Sequence, residues 1–397
     1  MKLIRRPAYD LSQRPFLVIW ETTQACDLAC KHCRAESQPN HHPDMLSLVE
    51  GKRLIDQVYD FGKPHPLFVL TGGDPFKRED ILDLTAYAAE KGLPVALSPS
   101  GTPLLNKENL TKIKEKGCKA ISLSLDGSTP RIHDVFRGVD GSYDWTVNGW
   151  KTAHELGLKV QLNTTVTRYN LFDLPDMFAL VNELGVMTWS LFFLVPTGRG
   201  LVEDEIKPDD YEAVLNFLYD ASKYVRLKTT EGHHYKRVVL QRSYLERNNL
   251  PFENYMKLNS TYFKLREGLD KHIQNMKPTT ATHDQMRRAP MHVNAGDGYV
   301  FVSLLGEVFP SGYLPVSAGN VRQKPLMEIY QDSDLFQAMR DKDTLKGRCG
   351  RCEYRYVCGG SRSRAYAMTG DYLAEEPFCS YEPGSFPFEE ALLERVE

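Results

Sequence analysis

Short apolar runs alternate with amphipathic stretches along the first half of the chain, and no other feature constrains the fold as strongly. Six runs have strand-like length and composition, and segments with apolar residues three and four positions apart separate them. Strands and helices that alternate over short connections form a parallel sheet with right-handed crossovers. The pattern therefore predicts an α/β fold with six β-then-α units, a partial TIM-type barrel. Strands are expected at Phe16–Glu21, Leu67–Gly72, Pro94–Ser98, Ala120–Leu125, Lys159–Thr165 and Met187–Val195, and helices at Leu46–Phe61, Asp80–Lys91, Lys107–Lys116, Tyr143–Leu156 and Leu174–Leu184.

The remainder of the 397 residues departs from this alternation, and the length allows two or three domains. After residue 200 the strand pattern stops, and helices are predicted at Asp209–Tyr224 and Ser260–Met276. Further on, YVFVSLLGEVFPSGY predicts a hairpin that turns near Leu305–Gly306. We therefore expect a barrel core in residues 1–200, a helical insert or linker in 201–290, and a small cysteine-bearing domain in 291–397.

Composition excludes several classes of function. The 49 Lys and Arg against 52 Asp and Glu leave a net charge of −3, so no global positive field attracts nucleic acid or an anionic membrane. The apolar runs are far shorter than the roughly 18 residues of a membrane span, and we expect no secretion signal. The expected location is the reducing cytoplasm, where eight cysteines serve metal or redox chemistry rather than disulfides.

Three cysteines lie in CDLACKHC, in the loop after the first predicted strand, with the spacing C-x3-C-x2-C. Cys26, Cys30 and Cys33 cannot close a tetrahedral zinc site unless a histidine joins them, and His32 is the nearest candidate. A [4Fe–4S] cluster on three thiolates keeps one iron open to an exogenous ligand. The spacing and position favour the cluster, with zinc as the alternative.

This motif resembles the fingerprint of the radical S-adenosylmethionine (SAM) superfamily, C-x3-C-x-aromatic-C after the first strand of a partial (β/α)6 barrel, with His32 as the aromatic ring. The resemblance implies that SAM chelates the open iron through its amino and carboxylate groups. The reduced cluster then cleaves SAM to methionine and a 5′-deoxyadenosyl radical, which abstracts hydrogen from a substrate.

Other predicted strand ends carry groups that fit the same resemblance, and barrel sites gather at such ends. TGGDP follows the second strand and resembles the family's GGE motif, with an Asp in place of Glu. Its glycines permit close backbone approach, and the resemblance implies a SAM contact through the 72–74 backbone. In isolation, such groups are more often turn residues or strand-end caps. The resemblance assigns SAM binding to Gly72, Gly73, Asp74, Ser98, Ser124, Asp126, Asn163, Leu194 and Val195.

The last four cysteines, spaced C-x2-C-x5-C-x20-C, can close a metal site completely, and ligand number alone leaves zinc open. The segment from CGRCEYRYVC to EEPFCSY resembles the C-terminal region of SPASM/twitch radical SAM proteins, where such cysteines ligate an auxiliary [4Fe–4S] cluster. With no open iron, that cluster would serve electron transfer or structural support. The ligands are Cys349, Cys352, Cys358 and Cys379.

Full SPASM domains hold a second auxiliary cluster, and this chain departs from their pattern. Ser311 and Ser361 stand where the resemblance places cysteines. We therefore expect one auxiliary cluster and two clusters in total. Cys118 fits neither set and is expected to be a helix-end or core thiol.

Fold and cofactor do not identify the substrate. The RAYAMTGDYLAEEP segment resembles enzymes that tailor tetrapyrroles on the heme and heme d1 routes, while other proteins with this domain modify ribosomally made peptides. Arginines suit carboxylates and histidines can face a metalloporphyrin, although solvated surface charge is the simpler interpretation. The candidates are Arg199, a weak catalytic candidate, with Arg362, Arg364 and His233–Tyr235.

The sequence thus predicts a radical SAM enzyme that acts on a tetrapyrrole or another anionic small molecule. An electron donor such as flavodoxin or ferredoxin is the expected partner. The alternatives are maturation of a ribosomal peptide or protein residue, and a non-catalytic zinc or iron–sulfur protein. Iron content and SAM turnover distinguish the enzyme from the last alternative.

Overall fold

The computed structural model, which describes residues 4–278 and 290–393, is built around one mixed sheet. Its strands are β1 (Leu17–Glu21), β2 (Leu67–Thr71), β3 (Val95–Leu97), β4 (Ala120–Ser124), β5 (Lys159–Val166), β6 (Thr188–Phe193), β7 (Leu227–Thr230), β8 (Tyr299–Val302), β9 (Glu307–Phe309) and β10 (Gly319–Asn320). They lie in the order β10-β9-β8-β1-β2-β3-β4-β5-β6-β7. The strands from β1 to β7 pair in chain order, as expected for successive β-then-α units.

The helices of the first part of the chain cover the sheet, and shorter helices follow the hairpin. They are α1 (Leu48–Tyr59), α2 (Ile81–Glu90), α3 (Lys107–Glu115), α4 (Pro130–Arg137), α5 (Ser142–Glu155), α6 (Leu174–Leu184), α7 (Pro208–Ala221), α8 (His234–Arg247), α9 (Ser260–Ile273), α10 (Leu326–Asp332), α11 (Asp334–Arg340), α12 (Gly347–Arg351), α13 (Arg362–Thr369) and α14 (Glu389–Leu393).

All pairings from β1 to β7 are parallel, and β8 adds a further parallel strand on the other side of β1. The strands β9 and β10 continue that edge in antiparallel fashion. Within the described residues the strand order ends at β10 and β7, so the sheet is not closed. The prediction of a partial barrel with a C-terminal hairpin is confirmed.

The strand β7 corrects the expectation that residues 201–290 lack strands. Its sequence, LKTT, contains a single apolar residue, so it has no apolar run to detect. Lys228 and Thr230 of this strand line the interior of the barrel, where a cavity tolerates polar side chains. A strand that borders a cavity therefore escapes a search based on hydrophobicity.

Side chains alternate between two environments along the barrel strands, since successive residues of a strand point to opposite faces. Val18 and Trp20 of β1 and Phe68 and Leu70 of β2 have no exposed surface and pack in the core. The intervening Ile19 lines the interior cavity. The core thus lies between sheet and helices, and the opposite face of the sheet remains available to ligands.

Local signals explain where helices begin. Ser47 caps α1, because its hydroxyl accepts from the Glu50 backbone N–H at 3.3 Å while the Glu50 carboxylate accepts from the Ser47 N–H at 2.8 Å. The helix α6 has the predicted bounds, Leu174–Leu184, whereas α4 was not predicted.

The three-domain division stays a prediction, because one sheet includes strands from all three segments. The predicted boundary near residue 290 adjoins residues 279–289, which lie outside the described residues. Among the helices that the structure describes, none combines the length and the apolar character needed to cross a membrane.

Candidate functional site

The first three cysteines lie in the loop that follows β1, at the carboxyl end of the parallel strands. Cys26, Cys30 and Cys33 all border one cavity in the barrel interior. A backbone hydrogen bond of 2.8 Å from the Cys26 N–H to the Gln38 carbonyl fixes the start of the loop. All three thiols are free, so they remain available as ligands.

Each of these thiols has a polar neighbour. Burial raises the pKa of the Cys26 and Cys30 thiols. At Cys33, hydrogen bonds from Ser37 and the charge of Arg199, among others, together outweigh burial and lower its pKa. Because iron ligands must be thiolates, assembly of a cluster here would release protons. The pairs are Cys26 Sγ with Ser100 Oγ at 3.4 Å, Cys30 Sγ with Arg137 Nη1 at 3.6 Å, and Cys33 Sγ with Ser37 Oγ at 3.4 Å.

The cavity beside the thiols has a volume of about 370 Å³, within the range of small-molecule sites. Several of the residues assigned to SAM from the sequence border it together with the thiols, from four neighbouring strands. Their contact with SAM remains a prediction. They are Gly72, Gly73, Ser98, Ser124 and Asn163.

The two glycines after β2 lie against the backbone of the cysteine loop. A Cβ at Gly72 would come within 2.5 Å of the Thr23 carbonyl oxygen, and a Cβ at Gly73 within 2.5 Å of the Ala25 carbonyl oxygen. The Gly73 N–H donates to the Thr23 carbonyl at 2.7 Å. Only glycine fits this approach, which ties the second strand end to the cysteines.

The Asp74 side chain points away from the cavity. Its carboxylate accepts from Thr102 Oγ1 at 2.7 Å and from the Phe76 N–H at 3.1 Å, and it has no exposed surface. Burial raises the pKa of Asp74 to about 6. The carboxylate therefore caps the turn, and only the backbone of the 72–74 segment is positioned for a ligand.

Asp126, Leu194 and Val195 also do not border the cavity. Asp126 accepts from the Thr165 N–H at 2.7 Å and forms an ion pair with Arg137. Leu194 and Val195 are 3% and 2% exposed. The structure thus separates these three residues from the five that share the cavity wall.

Arg362 and Arg364 are fully buried rather than solvated, and neither faces the barrel cavity. Arg364 pairs with Glu376 at 3.1 Å and Glu205 at 3.2 Å, and donates to the Leu194 carbonyl. Both the surface interpretation and the substrate-binding interpretation of these arginines are therefore wrong. The contacts of Arg364 join the C-terminal segment to the barrel. Arg362 instead donates to the carbonyls of Tyr372 and Ala374 within that segment.

Arg199 lies beside the cysteine loop, since its N–H donates to the Cys33 carbonyl at 3.0 Å and its guanidinium lies 3.4 Å from Ser37 Oγ. His233–Tyr235 begin α8, where His234 and Tyr235 are buried. His234 borders the cavity of the last four cysteines rather than the barrel cavity. A direct contact between these histidines and a substrate in the barrel is thus not supported.

The last four cysteines surround a second cavity, of about 30 Å³. The Cys349 sulfur accepts from the Glu376 N–H at 3.3 Å, and the Cys358 sulfur from the Gly360 N–H at 3.4 Å. Burial raises the pKa of Cys352 to about 12 and that of Cys358 to about 11. Four thiols around one small cavity form a complete ligand set.

The number and position of the thiols fit iron–sulfur clusters. Three thiols border the barrel cavity and would leave one iron open to a further ligand, whereas four thiols border the second cavity and supply a complete set. Ligand number alone does not distinguish a cluster from zinc at the second set.

The serines that replace expected cysteines meet at one carboxylate. Glu231, which follows β7 and is 4% exposed, accepts from Ser311 at 3.1 Å, from Ser363 at 3.0 Å and from Ser361. Hydroxyl groups bonded to a carboxylate do not provide thiolate ligands. The number of auxiliary clusters, one, stays a prediction.

Cys118 is 1% exposed, and its thiol contacts the Ala120 carbonyl at 3.1 Å. Burial raises its pKa to about 11. The expectation of a core thiol is confirmed.

The sequence did not identify the charged side chains that line the barrel cavity. These are Arg34, Arg137 and Lys228, and the described lining contains no Asp or Glu. Arg34 pairs with Glu21 at 2.8 Å. Arg34 directly follows the third cysteine, which was the one available signal, whereas Lys228 lies in the strand that was missed.

Comparison with known proteins agrees with this arrangement. Residues 20–181 match the model described as "Radical SAM superfamily", and residues 294–353 match SPASM, an "Iron-sulfur cluster-binding domain". These matches cover the first cysteine loop with most of the parallel strands, and the hairpin with the first two cysteines of the second set.

Curated relatives align over nearly the whole chain. The AdoMet-dependent heme synthase of Methanosarcina barkeri is 38% identical over 94% of this chain and 99% of that protein. The same enzyme of Nitratidesulfovibrio vulgaris is 40% identical over 92% of each chain. The Fe-coproporphyrin III synthase of Methanosarcina barkeri is 31% identical over 91% and 87%.

Solved structures share the fold. Streptococcus suis SuiB bound to precursor peptide SuiA superposes with a TM-score of 0.64 at 16% identity, over 93% of this chain and 76% of that chain. Native anSMEcpe with bound AdoMet gives 0.61 at 17% identity, over 96% and 97%. The cofactors that follow from the family are SAM and a [4Fe–4S] cluster, with an auxiliary cluster in the SPASM domain. The chain belongs to the radical SAM superfamily and is a radical SAM enzyme with a C-terminal SPASM domain.

Proposed function

We propose that this enzyme acts on an iron tetrapyrrole with carboxylate side chains, as a SAM-dependent heme synthase. The observation that carries the proposal is the barrel cavity, whose described lining has three cations and no carboxylate. Arg34 and Arg137 pair with carboxylates behind the wall, so Lys228 is the cation left for an anionic group of the substrate.

The curated relatives support the same substrate class. Proteins named for heme and Fe-coproporphyrin III synthesis are 31–40% identical over most of this chain. The PqqA peptide cyclase of Rhizobium meliloti, named for a peptide, is 26% identical. Peptide maturation is therefore the runner-up.

Two sets of residues would hold the cofactors, and each group supplies a distinct chemistry. When bound at Cys26, Cys30 and Cys33, the first cluster with SAM supplies a 5′-deoxyadenosyl radical that removes a hydrogen atom from the substrate. When bound at the four C-terminal thiols, the auxiliary cluster supplies a one-electron centre without an open iron. The electron donor is a flavodoxin or ferredoxin, and eight free cysteines fit the reducing cytoplasm.

The chemical change that the enzyme would carry out follows from the difference between coproporphyrin III and heme. Heme carries vinyl groups where coproporphyrin III carries two of its propionates, so each of these propionates loses one hydrogen atom, one CO2 and one electron. The hydrogen atom would leave in 5′-deoxyadenosine, and the electron would pass to the auxiliary cluster when that cluster is bound. The chain's own part is to hold carboxylates against cationic groups and to exclude water. Arg34 and Arg137 lie on the cysteine side of the cavity, and Phe192 and Phe301 form an apolar part of its wall.

The test uses anaerobically purified and reconstituted enzyme. Two clusters predict about eight irons and eight sulfides per chain. With dithionite, SAM and Fe-coproporphyrin III, we expect 5′-deoxyadenosine, and mass spectrometry should detect a porphyrin that has lost CO2 and two hydrogens from each of two propionates.

Formation of 5′-deoxyadenosine with an unchanged porphyrin would contradict the substrate and leave the radical SAM chemistry intact. The same incubation without SAM is the control for non-enzymatic change. A short peptide modified under these conditions would favour the runner-up.

A further inference from the structure

The barrel cavity contains one cation that no described residue neutralises. Arg34 pairs with Glu21, and Arg137 pairs with Asp126. Lys228 of β7 also lines the cavity, but no described residue forms a hydrogen bond or ion pair with its ammonium group. The ammonium group is exposed to the cavity and has no carboxylate partner among the described residues, so its charge is available to an anionic ligand.

The surroundings of Lys228 are cationic rather than acidic. Desolvation by the surrounding barrel is the main cause that lowers its pKa, to about 8, and the charges of Arg226 and Arg5 act in the same direction. No carboxylate contributes to this shift. The position is therefore suited to an anion that comes from outside the chain.

Sheet register connects Lys228 with further polar groups. Lys228 of β7 is paired with Ser190 of β6. Ser190 is paired in turn with Asn163 of β5, and Asn163 with Ser124 of β4. Residues paired in this way on parallel strands point to the same face. Since Ser124, Asn163 and Lys228 line the cavity, the side chain of Ser190 points to the same face, where it lies beneath the residues that border the cavity.

Ser190 provides a second, independent observation. Its side chain has no exposed surface, and its Oγ has no hydrogen-bond partner among the described residues. Ser190 and Lys228 are neighbours in the sheet. Together they offer one ligand a hydrogen-bond donor and a positive charge.

We infer that Lys228, with the Ser190 hydroxyl, binds one carboxylate of the substrate and thereby sets its orientation in the barrel. This rests on the proposed function, because it takes the iron tetrapyrrole as the occupant. Three strand spacings separate Lys228 from Ser124, about 14 Å. The carboxylate is therefore held at the β7 edge, away from the cysteine loop that follows β1. Lys228 is a specificity-determining residue and takes no part in SAM cleavage.

The test compares Lys228→Met, which keeps the length of the side chain without its charge, with Lys228→Arg, which keeps the charge. Lys151→Met, at an exposed position of α5, controls for the loss of one positive charge. Reconstituted holoenzymes are titrated with Fe-coproporphyrin III, and the shift of its Soret band gives Kd. Loss of a charge-assisted hydrogen bond should raise Kd for Lys228→Met about 10- to 100-fold.

Lys228→Arg and Lys151→Met should bind within a few-fold of wild type. In turnover, Lys228→Met should raise KM for the porphyrin with little change in kcat, while KM for SAM and the iron content stay at wild-type values. A merely structural role would instead change iron content and SAM cleavage together.

An unchanged porphyrin Kd for Lys228→Met would overturn the inference and leave the proposed function standing. A raised KM for SAM with an unchanged porphyrin Kd would assign Lys228 to the SAM site and also overturn it. If wild-type enzyme does not bind Fe-coproporphyrin III, the proposed function fails and the inference falls with it.

Discussion

Arg364 and Glu376 form an ion pair at 3.1 Å in which neither side chain has exposed surface. The same guanidinium contacts Glu205 at 3.2 Å and donates to the carbonyl of Leu194, the residue after β6. One residue of α13 thus joins the C-terminal segment, which carries the second set of cysteines, to the end of a barrel strand.

Arg364→Met should destabilise the protein strongly. Two carboxylates would remain buried without their cation, and removal of one partner of such a pair costs about 3–5 kcal/mol. Urea unfolding of the holoenzyme under argon, followed by circular dichroism, measures the change. Arg53→Met, at an exposed position of α1, is the control and should change stability by less than about 0.5 kcal/mol. Equal stability of the two variants would show that the buried pair is not essential.

Gly73→Ala should damage the first cluster. The new Cβ would lie 2.5 Å from the carbonyl oxygens of Gln24 and Ala25, which belong to backbone and cannot move without displacing Cys26. We expect the loss of about four irons per chain and of SAM cleavage. Gly157→Ala, where no atom lies within 4 Å of the added carbon, strains the backbone alone and should keep both clusters. Full iron content in Gly73→Ala would contradict the assigned contact.

Cys30→Ala and Cys352→Ala should separate the two centres. The first variant should keep about four irons and form no 5′-deoxyadenosine from SAM, because it lacks a ligand of the SAM cluster. The second should lose about four irons and still cleave SAM with dithionite. Iron analysis and chromatography of the reaction mixtures measure both quantities. Normal SAM cleavage by Cys30→Ala would refute the assignment of the first cluster.

Glu231→Ala should leave three buried hydroxyls without their acceptor. Loss of the bonds from Ser311, Ser361 and Ser363 should cost about 2–4 kcal/mol, since each unsatisfied buried group costs about 1–3 kcal/mol and the hydroxyls can relax. Thermal unfolding measures the effect. Glu231→Gln keeps an acceptor oxygen and should lose less. A wild-type Tm for Glu231→Ala would show that the serines find other partners.

Affinity for the iron porphyrin should fall as the pH rises through about 8. Lys228 has a pKa of about 8, below its usual value, so its ammonium is present at pH 7 and largely lost at pH 9. Tyr313, which also lines the cavity and has a pKa of about 12, stays neutral over this range. We expect about a tenfold higher Kd at pH 9 than at pH 7.

Lys228→Arg should remove this pH dependence, because a guanidinium does not titrate in that range. Soret titrations at both pH values, with wild type and variant in the same buffers, measure it. The same decline in both proteins would assign the titration to another group.

Much of the barrel could be predicted from the sequence, because its strands and helices have strong local periodicity. The bounds of α6 agree with the expected range, and the strands differ from it by a few residues. The strand β7 could not be predicted, since LKTT has no apolar alternation. Its neighbours in the sheet, rather than its composition, make it a strand.

The ligand sets show the same division. Spacing singled out seven cysteines as candidate metal ligands, and the resemblance to radical SAM and SPASM proteins turned them into a prediction of two clusters. Spacing could not show that the Asp74 carboxylate binds Thr102 and leaves the cavity wall to the glycines. The direction of a side chain depends on contacts with segments far along the chain.

The sequence by itself determined the chemistry of this protein, in cysteine spacing and in the β-then-α alternation, because both are local properties of the chain. Only the tertiary structure decided which charged side chains form ion pairs. It buries Arg364 between Glu205 and Glu376, and it leaves Lys228 without a carboxylate in the cavity. Whether a cation is paired or available to a ligand depends on which distant strands and helices pack beside it.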